Sequence, residues 1–150
     1  MKFPHLRSLG TEAGWYRVGP LARLQNADRL TTPRAELRRQ AFLARWSGQI
    51  VHAVLATHWA RMIEMLHSLE VVAGLLQQLT DDEALRTGPI ATPLPRVEPG
   101  SPDREGVGII EAPRGTLIHH YRIGADDLIT QCNLIVSTTH NNQAMNEAVR

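Results

Sequence analysis

The sequence predicts an α+β fold, long helices packed with a small antiparallel three-stranded sheet, and three observations carry that prediction. Between residues 50 and 76, apolar side chains from Ile50 to Leu76 recur at spacings of three and four, the period of a helix with one buried stripe. Residues 116–123 are crowded with β-branched and aromatic side chains, which suit a pleated strand. Between these stretches, residues 87–106 hold Pro89, Pro93, Pro95, Pro99 and Pro102 with Gly100. That density excludes regular structure and predicts an extended connector.

The elements follow in order within residues 1–150, read as a single partial domain. Residues 1–32 show no sustained period, and the Gly19-Pro20 break reduces this segment to an ordered loop, with Arg17 and Arg23 as surface or ion-paired residues. Residues 33–80 are helical. Thr32 stands at an N-cap position, and Pro33 follows at the first helical position, where its missing N–H costs nothing. Arg34, Arg38, Arg39 and Arg45 read as a solvated basic face, and Ser47-Gly48 as a break before a longer helix over about residues 49–79. His52, His58 and His67 are not spaced to place two imidazoles on one metal, so they read as packing or hydrogen-bonding residues. Residues 107–136 form the sheet, as strands near 107–111, 117–123 and 128–136, with Gly124-Ala125-Asp126-Asp127 as the second turn. Such a sheet needs a helix against one face, and the long helix is the candidate. Residues 137–150 are a polar loop and the start of a helix near Asn142, which stops without a C-cap and reads as truncated.

Composition narrows the function. Apolar residues at 43% and charged residues at 21% are ordinary globular values. A net charge of +1, with no basic block longer than two residues, argues against nucleic-acid binding and leaves proteins or small molecules as partners. The single cysteine, Cys132, excludes an intrachain disulfide framework and fits a reducing compartment; as a small apolar residue it is expected to be buried or half-buried. No leader and no membrane-length apolar run appear in the sequence, so a cytoplasmic location is expected.

The most demanding chemistry lies between Glu111 and Tyr121. Arg114 stands between Pro113, which fixes its own φ, and Gly115, which tolerates positive φ, so the chain turns there and presents the guanidinium outward. A permanently charged fork of five donors suits recognition of anionic or polar ligands better than proton abstraction. His119 and His120 are adjacent in a strand, face opposite sides and cannot both ligate one metal ion.

The string G-V-G-I-I-E-A-P-R-G-T-L-I-H-H-Y followed by N-L-I-V-S-T-T-H-N-N resembles the large subunit of nickel-iron hydrogenases. So do W-Y-R-V-G-P-L-A-R-L near the start and H-W-A-R-M-I-E-M-L-H in the middle. Within that family the chain is most similar to the cytoplasmic group that couples hydrogen to NAD(P) or related soluble carriers. The resemblance implies the central part of a larger, mainly α subunit that oxidises dihydrogen reversibly. Its partners would be a nucleotide-reducing module and an iron-sulfur small subunit.

In that family a Ni-Fe(CN)2CO centre is ligated by two C-x-x-C pairs, one near each end of the subunit. Neither pair is present here, so this chain alone is expected to hold no metal. The resemblance makes Arg114 the catalytic arginine over the metals, donating to a cyanide, with Pro113 lining the same pocket and Thr138 donating its hydroxyl to the second cyanide. Ser137 stands where many relatives have proline or alanine; it either adds a donor to the pocket or points away. His119 would sit behind the arginine turn, Glu111 would pair with a buried arginine, and the backbone carbonyl of Leu134 would contribute to a magnesium site. Two other readings stay open: a truncated, metal-free remnant or protein-interaction piece, and a histidine metal site using His119, His140 and one helix histidine.

Overall fold

Residues 4–88 and 104–149 are described by the computed structural model; most of the expected connector, 89–103, lies outside them. Chain contacts divide the sequence into two units, Met1–Arg23 with Val97–Arg150, and Leu24–Arg96.

In the second unit, helix α3 (Pro33–Arg45) starts after Thr32. Thr32 occupies the N-cap position without capping through its side chain, because its hydroxyl bonds His67 Nδ1 at 2.9 Å. The first-turn N–H groups are satisfied from helix α4 (Ala56–Asp81) instead, where Glu70 accepts from Arg34 N at 3.2 Å and Ala35 N at 2.9 Å. Desolvation pushes the Glu70 carboxyl up, but the N–H groups of Ala35 and Arg34 outweigh it and hold it below the usual range. Glu36 is held low as well, first by accepting from Leu30 N at 2.7 Å.

Three expectations for this unit need correction. The basic face of α3 is not wholly solvated, because Arg39 is buried. Its Nε donates to Leu24 O at 3.0 Å, a second nitrogen to Ala27 O, and Nη1 to Glu36 at 3.3 Å. Leu24 belongs to helix α2 (Pro20–Asn26), whose last carbonyls have no partner within their own helix, and the guanidinium supplies one. The long helix begins at Ala56 rather than near residue 49. Ser47 and Gly48 turn left-handed at φ 52° and 72°, and Val51 is then held by Gln25, which accepts from Val51 N at 2.5 Å and donates to Val51 O at 3.2 Å. Val51 is thereby kept out of any helical ladder.

The stripe on α4 is also narrower than its periodicity suggests. Only Ala56, Ala60 and Ile63 are buried, whereas Met62, Leu69 and Leu76 are 58–66% exposed. Length accounts for Leu76: at about 1.5 Å per residue, 13-residue α3 covers roughly half of 26-residue α4, and its contacts run from Trp59 to Glu70. Met62 and Leu69 fall within that stretch but on a side of α4 that α3 leaves open. At their contact Phe42 meets Trp59 edge-on, with ring centroids 5.1 Å apart. Helix α5 (Glu83–Thr87) follows.

In the first unit, a turn at Arg7–Leu9 and helix α1 (Gly10–Ala13) lead to Gly14. The ordered-loop reading of this segment missed helix α2, since Gly19-Pro20 is a helix start: Gly19 is left-handed and Pro20 takes the first helical position. Strands β1 (Arg104–Ala112), β2 (Gly115–Ile123) and β3 (Ile129–Ile135) form the antiparallel sheet in that order. The second turn is where the sequence put it, with Asp127 N bonding Gly124 O at 3.1 Å and Asp127 left-handed at φ 59°. His119 and His120 face opposite sides: His119 Nδ1 meets Tyr121 OH at 2.9 Å, and His120 Nε2 meets Glu105 at 2.6 Å. Cys132 is exposed, contrary to expectation, because β3 is an edge strand and Cys132 pairs across only to Tyr121. Helices α6 (Ser137–His140) and α7 (Asn142–Val149) close the described chain.

Candidate functional site

Ala112 pairs with Gly115, which leaves Pro113 and Arg114 as the two residues of the β1–β2 turn. Gly115 adopts φ +128° and Gly19 φ +106°, and their backbones lie against each other. A Cβ on Gly115 would collide with Val18 Cγ2 and stand 2.8 Å from Gly19 N; one on Gly19 would stand 2.8 Å from Arg114 O. Neither position can take a side chain without displacing main chain. On the other side, Ser137 Oγ donates to Gly115 O at 2.7 Å in a buried contact. A third hold comes from Arg23, which pairs with Glu111 and donates to Ala112 O and Pro113 O, each at 2.9 Å.

The Arg114 side chain itself is exposed, and among the described residues its guanidinium has no hydrogen bond or ion pair. A fixed backbone thus carries a cation with all five donors open.

Helix α6 is held by the same N-terminal segment. Asn141 Oδ1 accepts from Val18 N at 2.8 Å, and its Nδ2 donates to Val18 O at 3.1 Å. Tyr16 OH and His140 Nδ1 are 2.6 Å apart, with ring centroids at 5.4 Å. Thr138, on this helix, is exposed and follows directly on the Ser137 that bonds Gly115, so the fold links the Arg114 turn to the Thr138 turn through one hydroxyl. Ser137 is a strut between them; its O–H is committed to a backbone carbonyl.

His140 is 4% exposed, and burial pushes its imidazole below the ordinary value of 6.5, partly opposed by the Glu111 carboxylate. Burial pushes the Tyr16 phenol up, so both groups are neutral near pH 7. With Tyr16 donating to Nδ1, the ring proton sits on Nε2, which is buried without a partner among the described residues; this tautomer is inferred from the contact. A folded-state pKa below the unfolded 6.5 means that the unfolded chain binds more protons in the window between them. His140 therefore stabilises the fold fully above pH 6.5, and that contribution is lost as pH falls through the window. Chemical denaturation from about pH 8 to about pH 5 should show stability declining toward acid, and His140→Phe should flatten that limb.

Other sequence candidates lie apart from the turn. His119 is four residues beyond Gly115, roughly 13 Å along the strand at about 3.3 Å per residue, and it pairs with Tyr121. Leu134 lies opposite His119 in β3. Glu111 does pair with an arginine, the half-buried Arg23, and its other oxygen accepts from Thr116 Oγ1 at 2.9 Å. Among the described residues no three His, Cys, Asp or Glu side chains converge to hold a metal ion, which leaves the histidine metal site without support. Sequence reasoning missed Gly19, Arg23, Tyr16, His140 and Asn141 as parts of this site. The available signal was the W-Y-R-V-G-P-L-A-R string itself, whose residues 16 to 23 turn out to grip the two turns.

Comparison with known proteins agrees along the whole chain. The nickel-dependent hydrogenase family matches residues 8–149. The chain is 47% identical over 150 residues to the NAD-reducing hydrogenase HoxS subunit beta of Cupriavidus necator, covering 100% of this chain and 29% of that protein. It is 40% identical over 157 residues to the iron-sulfur subunit of an F420-non-reducing hydrogenase from Archaeoglobus profundus, covering 100% and 30% respectively. A crystal structure of an NAD+-reducing [NiFe]-hydrogenase in the H2-reduced state superposes with a TM-score of 0.81 at 54% identity, over 99% of this chain and 31% of that one. The chain thus spans about three-tenths of the length of these relatives.

Proposed function

The chain belongs to the nickel-dependent hydrogenase family, and on that premise we propose that it forms the arginine-bearing wall of a hydrogenase large subunit's active pocket. The whole subunit, in this reading, oxidises dihydrogen reversibly in the cytoplasm and passes electrons through an iron-sulfur small subunit to a soluble carrier such as NAD(P). The similarity to an NAD-reducing hydrogenase subunit supports the choice of carrier. Among the described residues, no helix is long and apolar enough to cross a membrane.

The residues present do not fit the role of nickel or iron ligands, since no metal-holding cluster exists among the described ones. We assign the metals' ligation, and the chemistry they supply, to parts of the subunit outside this chain. What this chain contributes is a preorganised wall. Arg114 offers a fixed positive charge and open donors to polar or anionic ligands, a service worth far more in a dry pocket than in water. Thr138 adds one O–H donor, and Pro113 adds an apolar surface that excludes water.

One observation carries the proposal: an unpaired, exposed guanidinium on a turn whose backbone is held from three sides. Arg114→Lys in the full-length subunit should lower kcat by about 10²-fold or more with little change in KM for hydrogen, as for loss of a fixed donor acting on the reacting centre. Full retained turnover would remove Arg114 from the pocket. Thr138→Val should shift the infrared cyanide bands. The lack of a metal-holding cluster also suits a metal-free remnant, and the flanking DNA separates the two readings. One C-x-x-C codon pair on each side, in frame, supports the hydrogenase subunit; stop codons without them support the remnant.

A further inference from the structure

We infer that Arg23 fixes the direction in which Arg114 points, making it a positioning residue for the pocket; the functional half of this inference rests on the reading above. The peptide between Pro113 and Arg114 is the turn's point of freedom. In a two-residue turn this central peptide plane can flip, and the flip inverts the carbonyl of the first turn residue and drives the second to positive φ, which redirects its side chain at a steric cost to an arginine. Proline is compatible with both orientations, so Pro113 does not decide between them.

Arg23 decides. Its Nη2 donates to Pro113 O at 2.9 Å and holds that carbonyl in one orientation, while Nη1 donates to Ala112 O at 2.9 Å and pairs with Glu111. Three successive residues of the hairpin are thus read by one planar fork. Glu111 is itself oriented by Thr116 on the other strand, through a 2.9 Å hydrogen bond to its second oxygen. The Gly19 backbone closes the remaining side against Arg114 O. The Arg114 guanidinium contributes nothing to this hold, having no partner among the described residues. Its direction is set by the backbone that carries it. A lysine at position 23 offers donors from a single nitrogen and cannot reproduce the spread between the two carbonyls and the carboxylate.

The test has two readouts. In the full 150-residue chain, the Arg114–Gly115 bond is a tryptic site with an exposed arginine and a buried glycine, protected as long as the turn is fixed. Arg23→Gln should speed cleavage there about tenfold, with Arg23→Lys intermediate and cleavage after Arg34 unchanged as a control for global unfolding. Equal rates at Arg114–Gly115 in all three proteins would overturn the inference. In the full-length subunit, Arg23→Gln should lower kcat about tenfold with KM for hydrogen little changed, and Arg23→Gln with Arg114→Lys should be no slower than Arg114→Lys alone. Losses that multiply would mean that Arg23 does not act through Arg114, and would sink the positioning role. Full turnover by Arg114→Lys would instead defeat the pocket reading, and the cleavage rates would then decide alone whether Arg23 sets the turn.

Discussion

Gly115→Ala should destabilise the chain by about 2 to 6 kcal/mol, read as a lowered urea midpoint at unchanged slope. Two costs combine. An alanine at φ +128° occupies a backbone region that side chains rarely adopt, for about 1 to 3 kcal/mol. Its methyl would also enter space held by Val18 Cγ2 and Gly19 N, and neither can retreat easily, because Val18 is bonded at both N and O to Asn141. Overpacking of that kind costs about 1 to 3 kcal/mol more. A useful contrast is Gly74→Ala in α4, where a Cβ meets nothing within 4 Å. That change should be neutral or stabilising by up to about 1 kcal/mol. Equal, small effects at both sites would mean that the two turns are not in backbone contact.

Arg39→Met should cost a comparable amount, about 3 to 5 kcal/mol, because it leaves polar groups buried without partners. Leu24 O and Ala27 O would each lose a charged donor, and Glu36 would lose its cation. The neighbouring Arg38 is exposed, and Arg38→Met should stay within about 0.5 kcal/mol. The pair is informative because the two residues are adjacent and chemically identical. Chemical denaturation followed by circular dichroism at 222 nm measures both; similar losses for the two variants would refute the role given to Arg39.

These contrasts show where sequence reading succeeds in this chain. The hairpin and its arginine turn were legible because Pro113, Gly115 and the β-branched run after them impose local conformations that little else can accommodate. The same rule that started α3 at Pro33 also starts α2 at Pro20, but Gly19 before it was read as a break. A Gly-Pro pair gives both signals, and only the neighbouring chain shows which applies. Arg39 was illegible for another reason: periodicity assigns a residue to a helix face, while the acceptors that bury it lie at the end of a different helix. The α4 stripe marks a face that favours cover, and periodicity cannot say whether this chain provides it. Buried His140 is similar, since its tolerance for burial depends on Tyr16, far away in sequence.

The contacts that fix the Arg114 turn differ from the hairpin in one respect, their separation along the chain. Hairpin partners are near neighbours, but Arg23 reaches Glu111 across 88 residues, and Tyr16 reaches His140 across 124. Closing such loops is entropically slow compared with forming a hairpin, which takes on the order of microseconds. Synthesis orders the same events, because residues 16 to 23 emerge first and have nothing to grip until residues 111 to 141 have left the ribosome. The β1–β2 hairpin should therefore gain its register early and on its own, whereas the aim of its arginine should be one of the last features the folding chain acquires.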